Sequence, residues 1–200
     1  PERYDLRLPA APALVPRRRR VPVRERIRAE GGIEVALDQA SLDAAIATLK
    51  QEGAEAVAVC FLHSWRDPSH ERAAGEAVRK AMPGVYVTLS SEVLPQIKEF
   101  ERFSTASVNA YVGPIVSRYL DRLRGRLGEA GYGGPVFVIL SHGGVAPVEE
   151  AARLAAGTAL SGPAGGVAAG VALAERGLGE DLITFDVGGT STDIALIQQG

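Results

Sequence analysis

The chain has 200 residues, of which 46% are hydrophobic and 23% are charged, and its formal net charge is −2. These values are ordinary for a globular domain and exclude intrinsically disordered and fibrous classes. The longest apolar run, residues 56–62, is far shorter than the roughly 18 residues of a transmembrane helix. No secretory signal is evident, and the single cysteine, Cys60, excludes an internal disulfide. We therefore expect a cytoplasmic protein that does not enter a membrane.

Positive charge is concentrated at the beginning of the chain. Residues 1–28 contain nine arginines against three acidic residues, a local net charge of +6. The arginine run at residues 17–20 is surrounded by prolines, and Tyr4 is the one aromatic residue in this segment. Binding of single-stranded nucleic acid usually needs several aromatic side chains on which bases stack. We predict that residues 1–30 form an extended, solvated linker and that the protein does not bind nucleic acid.

The next part of the chain alternates between helical and strand patterns. Leu42, Ile46 and Leu49 follow Ser41 at helical spacing, so we expect a helix capped by that serine. The apolar run at residues 56–62 predicts a fully buried strand. A second helix is expected from residue 67 to Pro83, followed by a strand at residues 85–89. This order predicts a layered α/β unit with parallel strands.

A long helical pattern covers residues 101–127, with a kink or a junction of two helices expected at Pro114. The arginines of this segment mostly lie off its apolar stripe and predict a solvated face. Four further elements follow: a buried strand at residues 136–140, a short helix at 147–155, a helix of small residues at 164–175, and two strands at 182–185 and 194–197. The first and last residues, and a single methionine at Met82, lead us to expect a piece of a longer protein.

The most informative motif lies between the last two strands, at residues 186–193. Gly188 and Gly189 allow backbone N–H groups to approach an anion closely, and three hydroxyl donors follow at Thr190, Ser191 and Thr192. Asp186 and Asp193 on either side supply hard oxygen ligands that suit Mg²⁺. The alternative is a β-hairpin whose aspartates and threonines merely bond the turn. The full motif with its two strands favours a phosphate-binding loop.

Three other groups are candidate sites. Residues 161–166, which begin with Ser161 and Gly162, form a glycine-rich helix start of the kind that binds anions, although taken by itself the motif is better explained as a capped helix whose small residues allow close packing. His142, in a loop after a strand, is a candidate proton carrier, although most single histidines are structural. Cys60, His63 and His70 match no zinc spacing, so we expect no metal site there.

Several blocks resemble the hydantoinase A/5-oxoprolinase family, which includes N-methylhydantoinase A and acetone and acetophenone carboxylase subunits. They occur in the family's order at residues 56–64, 89–95, 100–102, 108–114, 161–166 and 183–193. The resemblance implies an actin-like ATPase (ribonuclease H-like) fold, an α/β architecture with helices layered on a mixed sheet. It also implies that residues 31–105 end an N-terminal region and that residues 106–200 begin the hydantoinase A/oxoprolinase domain.

The resemblance further implies ATP and Mg²⁺ as cofactors. Gly188, Gly189, Thr190 and Thr192 would contact phosphates, while Asp186 and Asp193 would hold Mg²⁺ or its waters. The family uses ATP to phosphorylate a cyclic amide or a ketone enolate, in hetero-oligomers with a B-type subunit or domain. An earlier loop of the Asp-x-Gly-Gly-Thr type and a later adenosine-binding segment, both typical of the family, are absent from this sequence. We therefore expect the 200-residue chain alone to be inactive.

Two alternative functions remain open from the sequence. The first is a small-molecule kinase of the same fold, which would release a stable phosphorylated product without a B-type partner. The second is a non-enzymatic module whose affinity for a partner changes when a nucleotide binds. The sequence does not identify the substrate among hydantoins, 5-oxoproline, other lactams and ketones, nor does it identify the catalytic base.

Overall fold

A computed structural model describes residues 13–199, and the chain divides into two units, one ending at Tyr111 and the other beginning at Val112. The first unit contains β1 (Arg26–Ile27), β2 (Ile33–Val35), α1 (Gln39–Gln51), β3 (Ala56–Val59), α2 (Ser69–Ala81), β4 (Tyr86–Leu89), α3 (Ser90–Val93) and the first part of α4 (Glu99–Glu129). Strands β3 and β4 are parallel, as the helix between them predicted.

The core of the first unit lies between α1, α2 and the β3–β4 pair. Its buried members are Leu42, Ile46, Val57, Val59, Ala74, Val78 and Leu89. The predicted strand at residues 56–62 is shorter than expected because the backbone N–H of Phe61 donates to the Glu71 carboxylate at 2.8 Å, beyond the end of the β-ladder. The strand is also only alternately buried, and Ala56 and Ala58 are half-buried.

The predicted cap of α1 was wrong by one turn of helix. Asp38 is the capping residue, and its side chain accepts a hydrogen bond from the backbone N–H of Ser41 at 2.8 Å. Ser41 lies inside the first turn, where its hydroxyl donates to the Asp38 carbonyl. The backbone hydrogen bond from Ser41 lowers the pKa of Asp38 below its ordinary value, because it stabilises the ionised carboxylate.

The linker predicted at residues 1–30 is only partly solvated within residues 13–30. Arg17, Arg18 and Arg19 form an exposed turn, and the latter two approach the Glu52 carboxylate at 3.7 and 3.3 Å. Ile27 is fully buried and pairs with β2. Its side chain therefore provides a hydrophobic anchor for the linker. Residues 1–12 lie outside the described part of the chain.

The second unit contains the rest of α4, then β5 (Phe137–Ile139), β6 (Val145–Pro147), α5 (Val148–Arg153), α6 (Ser161–Leu173), β7 (Leu182–Val187) and β8 (Thr192–Ile197). Helix α4 is continuous, with Pro114 inside it, so of the two alternatives that we expected there, the junction of two helices is wrong and the kink stays a prediction. The α4 arginines at 118, 122, 124 and 126 are exposed, as predicted. Strand β5 is not buried, because Phe137 is 58% exposed.

The described strands form four two-stranded sheets, whereas the resemblance implied helices layered on a mixed sheet. Three pairs are antiparallel, namely β1–β2, β5–β6 and β7–β8, and β3–β4 is parallel. The described residues form both helices and strands, which agrees with the expected α/β class. Within residues 13–199, no helix has both the length and the apolar content needed to cross a bilayer.

Helix α6 packs closely on the β7–β8 hairpin at Gly170, and a substitution there tests this packing. A Cβ at Gly170 would lie 2.7 Å from Ile197 Cδ1 and from Thr184 Cγ2, whereas one at Gly166 meets nothing within 4 Å. Both changes to alanine gain about 1 kcal/mol of helix propensity, but Gly170→Ala also costs about 1–3 kcal/mol of overpacking. In urea unfolding of the full-length protein, we therefore expect Gly166→Ala to be the more stable variant by about 1–3 kcal/mol. Equal stability would contradict the packing described.

Candidate functional site

The motif at residues 186–193 forms the loop end of the β7–β8 hairpin. Asp186 lies directly opposite Asp193 in the antiparallel ladder, and Val187 lies opposite Thr192. The chain reverses over residues 188–191, where the Gly188 N–H donates to the Ser191 carbonyl at 2.9 Å. The structure therefore brings both predicted metal ligands together, with the predicted phosphate-binding residues between them. It also shows that one of the expected N–H donors, that of Gly188, is engaged within the loop.

The two aspartates lie on the face of the hairpin that packs against α6. Asp186 and Asp193 follow Thr184 and Ala195 along that face, beyond the contact with Gly170. Side chains directly opposite in a ladder have Cβ atoms about 4.5–5.5 Å apart, and like charges there destabilise the pair. Both residues are exposed, and among the described residues neither is joined to a cation by a salt bridge. A divalent cation fits this pair, because its charge offsets the repulsion and its preferred ligands are carboxylate oxygens.

The remaining members of the motif are all accessible to a ligand. Gly188, Gly189, Thr190, Ser191 and Thr192 are exposed, and no side chain approaches the space in front of Gly189. Ser161 and Gly162 occupy the first turn of α6 rather than a loop before it, and Leu160 precedes them with a left-handed backbone at φ 59°. No hydrogen bond among the described residues joins this turn to residues 186–193, so the structure does not assemble the two motifs into one contact.

Sequence reasoning missed a buried ionic cluster in the first unit. Glu71, Ser90 and Arg102 are each 0% exposed. The Ser90 hydroxyl donates to Glu71 Oε1 at 2.6 Å and accepts from Arg102 Nε at 3.1 Å, so the serine connects the two charged groups. Arg102 lies in the resemblance block at residues 100–102, and Glu71 lies in the helix predicted from residue 67, but neither was singled out as a candidate site residue.

The cluster ties together the segments that follow the two parallel strands. Glu71 accepts from the backbone N–H of Phe61 and of Ser91, and Arg102 donates to the carbonyls of Phe61 and Gln96. These bonds satisfy both charges, which is the condition under which buried ions are tolerated. The resemblance blocks at residues 56–64, 89–95 and 100–102 therefore meet in one place. The local sequence around Glu71 and Arg102 gave no signal for the cluster.

Among the described residues, no group of three or more His, Cys, Asp or Glu side chains that could hold a metal ion is found, and the absence of a metal site at Cys60, His63 and His70 stays a prediction. His70 Nδ1 instead lies 2.9 Å from the Glu25 carboxylate, and both side chains are nearly buried. His142, the candidate proton carrier, uses its own Nδ1 to accept from the Gly144 N–H at 3.2 Å. Neither histidine is therefore presented as a free ligand at that nitrogen.

Cys60 gives a test of burial next to the cluster. Burial, followed by the nearby Glu71 charge, raises the pKa of its thiol from 9.0 to about 12, while Arg102 acts in the opposite sense. Because the thiolate is the nucleophile, we expect alkylation at pH 8 to be about a thousandfold slower in the native protein than after urea unfolding. Because the folded state favours the protonated thiol, Cys60 stabilises the fold fully below pH 9, and this stabilisation is lost as the pH rises towards 12. Mass spectrometry of the Cys60 peptide measures the labelling, and equal rates in both states would contradict the burial.

Two family models match the chain. The model for Hydantoinase/oxoprolinase matches residues 102–200, and the model for Hydantoinase/oxoprolinase N-terminal region matches residues 1–82. The chain belongs to the hydantoinase/oxoprolinase family. The resemblance in the sequence blocks is thereby confirmed.

Individual relatives agree with this assignment. Caprolactamase subunit alpha of Pseudomonas jessenii is 41% identical over 198 residues, which are 99% of this chain and 28% of that protein. The 5-oxoprolinase of Saccharomyces cerevisiae is 34% identical over 164 residues, covering 82% of this chain and 12% of that protein. The chain therefore spans less than a third of the length of these relatives.

Solved structures show the same relationship. The crystal structure of the ATP-dependent caprolactamase from Pseudomonas jessenii matches 96% of this chain with a TM-score of 0.79 and 39% identity, and the match covers 28% of that chain. The nucleotide-free structure of acetone carboxylase matches 88% of this chain with a TM-score of 0.75 and 30% identity, covering 25% of that chain.

Proposed function

We propose that this chain is a segment of an ATP-dependent enzyme that phosphorylates and so activates a cyclic amide, such as a hydantoin, 5-oxoproline or another lactam, or a ketone enolate. The observation that carries the proposal is the opposed pair Asp186 and Asp193 around an accessible Gly-Gly-Thr-Ser loop. This arrangement suits a metal–phosphate complex, and it occurs in a chain 41% identical to a caprolactamase subunit. The actin-like ATPase fold and the domain boundary at residues 105/106 are parts of the same proposal.

The chemistry needs a group that stabilises negative charge while a phosphoryl group moves. An amide or enolate oxygen attacks the γ-phosphorus of ATP, the bond to the β,γ-bridging oxygen breaks, and ADP leaves. In a cyclic amide, the substrate oxygen then forms part of a phosphate leaving group, so attack by water on the adjacent carbon, with release of phosphate, becomes easier. Asp186 and Asp193 would hold Mg²⁺, which neutralises phosphate charge when bound. The Gly189 N–H and the hydroxyls of Thr190 and Thr192 would bind phosphate oxygens.

The role of Gly189 can be separated from its role in the fold. A Cβ at this position meets nothing within 4 Å, so Gly189→Ala should leave the free energy of unfolding within about 0.5 kcal/mol of the original value. We expect the same variant to lower kcat/KM for ATP by about tenfold or more, because the added methyl group occupies space needed by the phosphates. The measurement is ATP turnover and thermal unfolding of the full-length protein. Unchanged ATP turnover would remove this glycine from the proposed phosphate site.

We also propose the partners and location of the whole protein. The relatives named above include a subunit alpha, which supports assembly with other subunits, and we propose a B-type subunit or domain that completes the reaction. A cytoplasmic location is proposed because ATP is available there and the one cysteine is free.

The test is ATP hydrolysis by the full-length protein with its B-type partner. Caprolactam, 5-oxoproline, hydantoin, acetone and acetophenone are added separately, and phosphate release is compared with the rate in buffer. We expect at least one compound to stimulate ATP hydrolysis and to be consumed. A stable phosphorylated product that accumulates without the partner would indicate a small-molecule kinase instead. An absence of stimulation by all five compounds would contradict the proposal for these substrate classes.

A further inference from the structure

Helix α4 has a second apolar face that the described part of the chain leaves uncovered. Large apolar side chains recur on this face at helical spacing, namely Phe100, Val108, Tyr111, Ile115 and Tyr119. Phe100 is 82% exposed and Tyr111 is 67% exposed. Ser104, which is also exposed, occupies the remaining position of the row. These six residues form what we call the outer stripe.

The alignment of the outer stripe follows from the helical repeat. Its members are three or four residues apart, so they lie on one face of a continuous helix and extend along it for about 28 Å. The residues that α4 buries, which include Ala106, Ala110 and Leu120, lie on the opposite face. A helix that is apolar on both sides is usually covered on both sides. The outer stripe is therefore a surface that needs a partner.

The size and composition of the outer stripe are those of a protein interface. Its three aromatic side chains alone can each bury about 150–250 Å² when they are covered. Exposed apolar patches of more than a few hundred Å² mark interaction sites, and a stable interface buries about 800 Å² on each partner. Tyrosine, which the outer stripe contains twice, is among the residues that contribute most to binding at the centre of an interface.

The order of residues makes the outer stripe complementary to a reversed copy of itself. Successive members are separated by four, four, three, four and four residues, which is the same spacing in either direction. Two antiparallel copies therefore place Val108 opposite Tyr111 and Phe100 opposite Tyr119. The small Ser104 then lies opposite the larger Ile115. A surface that matches its own reversed copy is what a two-fold symmetric interface requires.

The charges at the two ends favour the antiparallel orientation. Glu101 is exposed beside the first member of the outer stripe, and Arg122 and Arg126 continue its line beyond the last member. Among the described residues, no salt bridge joins Glu101 or Arg122 to an opposite charge. Antiparallel copies bring the acidic end of one outer stripe to the basic end of the other. Parallel copies would bring like charges together, which opposes association.

We propose that the outer stripe is the contact between two copies of this protein, which are related by a two-fold axis and have their α4 helices antiparallel. The inference goes beyond the proposed function, because it concerns assembly and does not depend on the substrate. The alternative occupants are a different subunit and a segment of the full-length protein outside residues 1–200. Neither alternative would require the symmetric spacing of the outer stripe or its oppositely charged ends.

The first test is sedimentation equilibrium of the full-length protein without other subunits. Glu101→Arg and Arg122→Glu each place like charges at both ends of the pair, so we expect either change to raise the Kd of the dimer about tenfold. The variant with both changes exchanges the charges and should return Kd to within about threefold of the original value. Glu76→Arg, the same reversal at an exposed position of α2, is the control and should leave Kd unchanged.

Ile115→Glu tests the apolar part of the outer stripe. We expect it to raise Kd about thirtyfold or more and to leave thermal unfolding of the dilute monomer unchanged, because Ile115 is exposed there. A protein that stays monomeric throughout the micromolar range overturns the proposal. A dimer with the same Kd in Glu101→Arg, Arg122→Glu and Ile115→Glu also overturns it.

The same variant identifies the other occupants. If Ile115→Glu unfolds the dilute full-length protein, another segment of the same chain covers the outer stripe. If it abolishes binding of a different subunit and leaves self-association intact, that subunit occupies the outer stripe. Either result overturns the contact between two copies, and neither result changes the proposed function.

Discussion

Replacing Arg102 by methionine is expected to lower the free energy of opening of the first unit by about 3–5 kcal/mol, the usual cost of leaving one buried charge without its partners. Arg102 is fully buried and donates to Ser90 and to the carbonyls of Phe61 and Gln96. Methionine fills similar space but leaves these acceptors unpaired and the Glu71 carboxylate uncompensated. Hydrogen exchange of the Phe61 and Ser91 amides, followed by mass spectrometry in the full-length protein, measures the effect, because both donate to Glu71.

Two further variants make this prediction specific. Arg118→Met changes an exposed arginine on the same helix. It should change the free energy of opening measured by exchange at those amides by no more than about 0.5 kcal/mol. Ser90→Ala removes the hydroxyl between the charges and should cost about 1–3 kcal/mol, which remains measurable if Arg102→Met does not fold. If Arg102→Met and Arg118→Met had equal effects, the cluster would not support the edge of the β3–β4 pair.

Replacing Asp186 by asparagine is expected to lower kcat for substrate-stimulated ATP hydrolysis about 100- to 1,000-fold, comparable to the loss of one preorganised charge-stabilising group. Asparagine has nearly the same shape but loses the charge that would hold the metal. The free energy of unfolding should stay the same or rise by about 0.2–1 kcal/mol, since the repulsion between Asp186 and Asp193 across the ladder disappears. Opposite signs for activity and stability distinguish a metal site from a hairpin in which the aspartates only support the turn.

Asp193→Asn should behave like Asp186→Asn, because the two carboxylates occupy equivalent positions across the hairpin. Asp121→Asn is the matched control, since Asp121 is an exposed aspartate of α4 in the same unit. Full activity in Asp186→Asn together with reduced stability would support the purely structural interpretation. Steady-state kinetics and urea unfolding of the full-length protein provide both measurements.

Elements with strong local signals were predictable from the sequence. Helix α2 ends before Pro83, which lacks a donor N–H, and β4 follows where the apolar residues resume. The two strands of the β7–β8 hairpin were also predictable, because two apolar runs flank a glycine pair that permits a tight reversal, although their pairing as a hairpin was given only as the alternative to a phosphate-binding loop. The structure places Asp186 opposite Asp193 in this hairpin, and the binding of a metal or of phosphate there stays a prediction.

The features that were missed depend on contacts between distant parts of the chain. Glu71 and Arg102 have ordinary helical surroundings in the sequence, and only the fold brings them to Ser90. Strand β3 ends before Phe61, because the Phe61 N–H donates to the side chain of Glu71, ten residues further along the chain. Strand β5 was expected to be buried from its apolar composition, which records hydrophobicity but not which neighbours cover each face.

The most direct test of the central claim is a crystal structure of the full-length protein with Mg²⁺ and a non-hydrolysable ATP analogue. The account predicts phosphate oxygens within hydrogen-bond distance of residues 188–192 and Mg²⁺ bound by Asp186 and Asp193, directly or through water. A nucleotide whose phosphates lie elsewhere, with no contact to this hairpin, would contradict it.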